Sequence, residues 1–423
     1  MLSGLRPGSG GSECNRVRMN RLSLRVQWAQ LVVLSGIHFL VDMFGNMLPA
    51  ILPVIRSEFA ITLSTGGFIL AALSLASNGM QILTGRMRAD KTSPLFLYVG
   101  LILAASICLI VLAPKSLGGI ALLFVFGVVS GSGIAITHPE GLRAVHTLNR
   151  IAPALSTAVF MTSGFLGFAS GGMISALLVS SYGLKGLWPL VLCPIGGVLA
   201  LILARVRLST EQAGSHASNG QAQARPGALP FWKVLAIGLP AAVSTTVVLQ
   251  LTPTYLAELG FGLTFGGFST ALFGWGGGFG PFLWAAIAHR KGGLTCSAWA
   301  FLLSFPFMLL YMMFVKHPAA HWLLFGVGFS AMSAYILTIT LAREAYGVSL
   351  GLRMALIVGG TWGIAMIVFL VLAAVADRVG TGPILRLTPA GYLISGLLGV
   401  WVLRQHPESV RIRCVTPALE PSA

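Results

Sequence analysis

The sequence predicts an all-α polytopic membrane protein, and three observations carry that prediction. Of the 423 residues, 56% are hydrophobic and only 9% are charged, against roughly a quarter charged in a soluble domain. Apolar runs long enough to cross a hydrocarbon core about 30 Å thick recur along the whole chain. Lysine and arginine, third, fall mainly in alternate connecting segments. A mean hydropathy of +0.86 fits the same class. Disordered, collagen-like and disulfide-rich secreted classes are excluded.

Twelve spans are expected, at 28–50, 62–84, 94–113, 118–141, 153–180, 187–204, 232–256, 263–287, 294–315, 320–341, 352–375 and 384–403. Polar sequence occupies an N-terminal tail over 1–27, a central segment over 205–231 and a C-terminal tail over 404–423. The first tail does not read as a cleavable signal peptide, because the apolar run after it is long and carries Asp42. Met19 is an alternative start to Met1, since 1–18 read as unstructured Arg/Gly/Ser sequence.

Charge tests this layout. With the N-terminus in the cytoplasm, 21 of the 27 basic residues lie in or beside cytoplasmic segments, as the positive-inside rule requires. Arg56, Lys115, Lys185, Lys316, Arg378 and Arg386 make up the remainder. Both termini are therefore expected in the cytoplasm, in a cell inner membrane. The net charge of +16 reports sidedness; a nucleic-acid partner would need basic residues gathered on one face. Five cysteines lie far apart with no C-x-x-C, so neither a metal site nor a disulfide framework is expected. No G-x-x-x-x-G-K-[ST] or H-E-x-x-H occurs, and no nucleophile–base constellation is visible. An enzyme is not expected. Energy for any movement of solute would come from a gradient, one proton supplying about 2.3 kcal/mol per 100 mV.

The central segment is rich in Ser, Gln, Ala, Gly and Asn and reads as a flexible linker. It divides the spans into two bundles of six, 28–204 and 232–403. Each half carries an acid and an arginine near the end of its fourth span, at Glu140 with Arg143 and at Glu344 with Arg343. Two such pseudo-equivalent halves are what alternating access by rocking requires.

The first span holds His38, Asp42 and Asn46 at four-residue spacing, hence on one helix face. A charged Asp there costs about 2.5–3.5 kcal/mol on insertion scales. A carboxyl that gains and loses a proton as it is exposed to either side is a natural coupling site, with His38 able to share the proton. The competing reading is a polar cluster that holds the helix to its neighbours. In the fourth span Pro139 permits a bend after His138, and Glu140 and Arg143 are spaced to pair. They read equally as an interfacial ion pair or as charges leading into a cavity. Arg343 and Glu344 are expected to clamp a gate between the halves. Gly164, Gly167 and Gly171 in the fifth span include a G-x-x-x-G pair that permits close helix approach. So does the run Gly274, Gly276, Gly277, Gly278 and Gly280; either set could also form a sliding surface. Asn78, Gln81 and Gln250 are plausible cavity hydrogen-bonders.

Twelve spans split six and six around a central loop resemble the major facilitator superfamily. His38-Phe39-Leu40-Val41-Asp42-Met43, Ser57-Glu58-Phe59, His138-Pro139-Glu140 with Arg143, and Ala376-Asp377-Arg378-Val379-Gly380 resemble its fosmidomycin-resistance branch. That resemblance, over about residues 28–403, implies a proton-coupled exporter whose cavity holds Asp42, His38, His138, Glu140 and Arg143. Where the superfamily's second loop resembles G-x-x-x-D-[RK], this chain has Gly85-Arg86-Met87-Arg88-Ala89-Asp90-Lys91, one residue longer. A gate around Arg86, Asp90 and Lys91 is thus expected to be arranged differently. The Gly-Pro of the antiporter signature is replaced by Gly171-Gly172, and Ala288-His289-Arg290-Lys291 lacks the acid of the corresponding loop.

The leading expectation is a secondary active transporter, with proton-coupled efflux of a small drug-like or anionic compound by alternating access. Arg143 and a basic cavity entrance favour an anion. A proton symporter taking up an organic acid or other metabolite is the nearest alternative, and a non-transporting sensor or scaffold of the same fold a more remote one. Expected partners are the lipid bilayer, protons and a small-molecule substrate, with no nucleic acid. The chain is expected to act as a monomer and to need no cofactor beyond the proton gradient.

Overall fold

The computed structural model describes residues 23–87, 91–209 and 228–406, with only the backbone described for 82–87 and Ala154. The first span is longer than expected and broken. α1 (Leu24–Gly45) is capped by Ser23, whose hydroxyl accepts from the Val26 N–H, and ends at Asn46. α2 (Leu48–Phe59) carries the span onward past residue 50 and stops where Ala60 turns left-handed at φ 51°. α3 (Leu63–Met87) follows, then α4 (Leu95–Ala104), which tightens into a 3₁₀ helix over Ala105–Leu112. α5 (Leu117–Val145) runs through Pro139 without interruption.

α6 (Pro153–Tyr182) belongs to an apolar helical stretch of 49 residues, Leu155–Leu203. An α-helix of that length would reach about 73 Å, more than twice the bilayer core. The stretch is broken at Gly183, where φ is 63°, a conformation that glycine adopts without penalty. A 3₁₀ helix (Gly183–Leu192) and α7 (Cys193–Leu203) form the return span. Among the described residues, eleven candidate membrane stretches thus contain twelve crossings.

In the second half α8 (Phe231–Glu258), α9 (Leu263–Lys291), α10 (Gly293–Met313) and α11 (Trp322–Glu344) are continuous spans, α11 preceded by a 3₁₀ turn over Pro318–His321. The eleventh crossing is composite: α12 (Leu350–Met354), a π-helical stretch over Ala355–Gly360, and α13 (Thr361–Val379). α14 (Thr381–Arg386) and α15 (Thr388–Gln405) form the last.

Packing divides these helices into two six-span bundles. α1 lies on α6, and α5 lies on both α3 and α4; α9 and α10 lie on α11, and α15 lies on α8 and α10. α6 with α9, α3 with α13 and α2 with α8 join the bundles. We call the end carrying residues 23 and 406 the tail end and the other the far end. Contacts across the seam concentrate at the far end. There both oxygens of Asp377, on α13, accept the Leu63 and Ser64 N–H groups at 2.7 and 2.9 Å, capping α3 of the opposite half. A Cβ on Gly67 would press against Ala373 and Phe369, and one on Gly267 against Gly172 and Ala176. At the tail end, α5 and α11 make no extensive contact with one another among the described residues. The halves meet at the far end and part towards the tails.

Two backbone attachments hold the described ends of the linker. Ser209 is bonded to the end of α5, and Leu229 and Phe231 exchange hydrogen bonds with Tyr346. Residues 210–227 lie outside the described part. Cys108, Cys193 and Cys296 are free thiols; Cys14 and Cys414 lie outside the described residues.

Candidate functional site

The polar face of α1 is read directly by the backbone of α6. His38 Nδ1 donates to the Phe160 carbonyl and Asn46 Nδ2 to the Phe168 carbonyl, both at 2.8 Å. The Ser175 hydroxyl donates back to the Met47 carbonyl at 2.9 Å. Each bond advances along both helices together, so the two lie parallel and in a fixed register. Glycine makes this approach possible. A Cβ on Gly167 would overlap the Phe39 backbone, and one on Gly171 the Met43 backbone. Gly164 faces His38 and Asp42 themselves. The G-x-x-x-G pair is therefore a helix contact, and Gly164 leaves the space in which two polar side chains meet.

Those side chains are joined by a third from α5. Asp42 Oδ2 lies 3.3 Å from His38 Nε2, and Asp42 Oδ1 lies 3.0 Å from His138 Nε2. His138 Nδ1 bonds the Ile134 carbonyl at 2.8 Å. The His38 ring stacks on Phe160 at 4.1 Å between centroids and meets His138 edge-on at 5.1 Å. His38 is buried, with 4% of its side chain accessible, whereas Asp42 and His138 keep 19% and 25%. The triad is sealed on one side and reachable on the other.

Hydrogen-bond bookkeeping assigns the ring nitrogens. A carbonyl oxygen only accepts, so both Nδ1 atoms carry hydrogen, and both Nε2 atoms face the carboxylate. Each Nε2–oxygen contact needs one proton. With two protons shared among the three groups both contacts are bonded and the cluster has net charge +1. With one, the cluster is neutral and one contact sets lone pair against lone pair. With none, it is anionic and both contacts repel. The geometry can therefore store protons and change shape as it loses them. One ligand atom from each residue also lies within 4.8 Å of the others, a separation that a divalent cation could bridge.

Glu140 and Arg143 form a different group, at the tail end. Glu140 Oε1 accepts from Arg143 Nη1 at 3.0 Å, with both side chains at 5% exposure or less. The same guanidinium donates to the Ser209 carbonyl from Nε and Nη2, and to the Lys91 carbonyl from Nη2. Arg143 thus anchors the start of the linker and the second loop to α5. Its donors point at backbone oxygens and Glu140, away from the role of cavity entrance expected for it. Asp90 lies outside the described residues, and of Arg86 only the backbone is described. Arg343 and Glu344 are exposed at the end of α11 and pair with no described residue, so no clamp between halves forms here. Asn78, on α3, bonds its own helix at the Ser74 carbonyl, and Gln81 lies half-buried one turn on. Gln250 Oε1 is buried without a hydrogen-bond partner on α8.

Residues 34–342 match the sequence profile of the Major Facilitator Superfamily. The chain belongs to that superfamily. This facilitator is similar to the fosmidomycin resistance protein of Escherichia coli K12, at 26% identity over 84% of this chain and 88% of that protein. It is also similar to the uncharacterized MFS-type transporter YfnC of Bacillus subtilis 168, at 24% identity and the same coverages. Among solved structures it resembles a bacterial homologue of the human lysosomal transporter Spinster, in an inward-facing and occupied conformation. The TM-score is 0.63 and the identity 15%, over 90% of this chain and 97% of that one. A POT family transporter in complex with a thioalcohol-conjugated peptide gives a TM-score of 0.67 at 14% identity, over 90% and 96%. The superfamily comprises membrane transporters rather than enzymes, so the facilitator's partners are the bilayer and a small-molecule substrate.

Two residues of this facilitator were not singled out by the sequence argument. Asp377 caps α3 of the other half of the molecule, a contact that no local sequence pattern encodes. Arg353 was counted only as a loop charge, yet it is buried at 4% exposure on α12. A signal for it was available: an arginine at the edge of an apolar run, with no acid three or four residues away.

Gly164→Ala tests the triad without removing any polar group. The new methyl meets the ends of His38 and Asp42 rather than backbone, so the fold should persist while the triad is pushed apart. Uphill transport should fall steeply with little change in unfolding temperature. Gly167→Ala, which meets backbone, should instead lose about 1–3 kcal/mol of stability. Equal unfolding temperatures and equal flux in wild type and Gly164→Ala would refute the link between triad geometry and coupling.

Proposed function

We propose that this facilitator is a proton-coupled exporter of a small drug-like or anionic compound in the plasma membrane, with Asp42, His38 and His138 as its proton carrier. The observation that carries the reading is the triad: three titratable groups in contact within a membrane bundle, their outer nitrogens held by backbone. Intramembrane ionisable residues are costly unless they serve transport or pairing, and a cluster that stores a variable number of protons serves both. The distribution of basic residues supports a cytoplasmic tail end, in which case the conformation described is inward-facing. Substrate would enter from the cytoplasm between the halves. The far end would then open, and proton uptake by Asp42 from outside would favour release and return.

Export is supported by similarity to the fosmidomycin resistance protein, and fosmidomycin is accordingly the first compound to try. Inside-out vesicles with an acidified lumen separate the alternatives. An antiporter accumulates compound in the lumen while the lumen loses protons; a symporter moves both outward together. Co-directional movement would overturn the export reading.

A further inference from the structure

Among the described residues, Arg353 is a buried cation without a counterion. Its side chain sits at 4% exposure, and its Nε and Nη1 atoms are sealed from solvent with no hydrogen-bond partner. Of the six described acids, five are engaged elsewhere. Asp42 faces the two histidines, Glu58 pairs with Lys115, Glu140 with Arg143, and Asp377 caps α3. Glu258 accepts from Thr381, and Glu344 is exposed on α11. A guanidinium cannot shed its proton to escape the cost of burial. Removing one partner of a buried ion pair is strongly destabilising for the same reason.

The surroundings indicate what the missing partner is. Arg353 lies two residues before the π-helical stretch Ala355–Gly360, the one such stretch among the described residues. π-bulges are frequent at functional sites. This one packs against α8 and α11 of its own half and against α3 of the other. Its Ile357 carbonyl accepts the Tyr335 hydroxyl at 2.8 Å, and Tyr335 meets Trp362 edge-on at 5.1 Å. The arginine thus stands at the tail side of a polar-aromatic wall, on the crossing that joins the two halves across the seam.

We propose that Arg353 is the anion-recognising residue of the second half and that the substrate carries a carboxylate, phosphonate or sulfonate group. The planar fork of a guanidinium matches two oxygens of such a group, and a substrate is a partner that arrives and leaves within each cycle. Arg143 does not fill this role, since its donors are held by Glu140 and two carbonyls. The inference rests on the transport reading and deepens it. Binding is measured without a proton gradient, so it can fail while coupling stands, and coupling can fail while it stands.

The test is thermal unfolding and calorimetric titration of the purified full-length protein with benzoate, benzenesulfonate and the uncharged analogue benzamide. The two anions should raise the unfolding temperature of the wild type, and benzamide should not. Arg353→Met should unfold at a higher temperature than wild type without ligand, because an unpaired buried charge has been removed. It should also bind the anions about tenfold more weakly or worse, the loss expected for a charge-assisted contact. Arg353→Lys should retain part of the anion shift. A Met variant that unfolds earlier or does not fold would make Arg353 structural, and an anion shift unchanged in both variants would place the anion elsewhere. Either result overturns the proposal.

Discussion

Asp42→Asn should abolish uphill transport while leaving exchange of substrate across the membrane within a few-fold of wild type. Asparagine has the size of aspartate; its Nδ2 donates to one Nε2 and its oxygen accepts from the other when that ring is protonated, so packing around Gly164 and Phe160 is undisturbed. What it loses is a charge that varies. In proteoliposomes with the membrane potential clamped at zero, one pH unit is worth about 1.4 kcal/mol per proton, or roughly tenfold accumulation. Wild type exchanging one proton should reach about tenfold, and exchanging two about a hundredfold, since the triad can hold either number. The Asn variant should equilibrate and stop. If it still concentrates substrate, the proton passes elsewhere. The accumulation ratio also tells whether both histidine contacts fill and empty in each cycle.

Arg143→Met is expected to be the most destabilising single change at the tail end. It takes the guanidinium away from Glu140, whose side chain is 3% exposed, and breaking a buried pair by removing one partner costs about 3–5 kcal/mol. It also removes the donors that serve the Lys91 and Ser209 carbonyls. Replacing both partners, Glu140→Gln with Arg143→Met, should recover part of that loss because no charge is left unpaired. Recovery should be incomplete, since the two carbonyls still lack their donor. Unfolding temperatures of the two single variants and the double variant check this. A double variant no better than Arg143→Met alone would show that the anchoring of the linker, not the ion pair, dominates.

The contrast between these two sites shows what could be read from the chain. Four-residue spacing placed His38, Asp42 and Asn46 on one face of α1, because helical periodicity is local. The pairing of Glu140 with Arg143 was legible for the same reason. His138 beside Asp42 was not legible from spacing, since it depends on how α5 packs against α1; only the family resemblance put both in one cavity. The same limit explains Arg143, whose partners at Lys91 and Ser209 are 52 and 66 residues away. Span boundaries were good where one helix equals one crossing. They slipped at the first span, where Asn46 interrupts a helix that resumes for another turn and more, and in the eleventh, where a π stretch has no simple periodicity.

The register between α1 and α6 has a consequence for how this transporter can diversify. Positions 164, 167 and 171 admit no side chain without displacing the Asp42 cluster or the α1 backbone, and a Cβ on Gly274 of the other half would overlap Ala169 on the same helix. α6 is thereby closed to variation on two of its faces. A Cβ at Gly79, on α3, would meet nothing within 4 Å, and the same holds at Gly351 beside Arg353. New compound preferences can therefore arise by single substitutions on α3 and α12, at sites where a larger residue costs little. The cluster of Asp42, His38 and His138 would be inherited unchanged beneath a shifting spectrum of cargo.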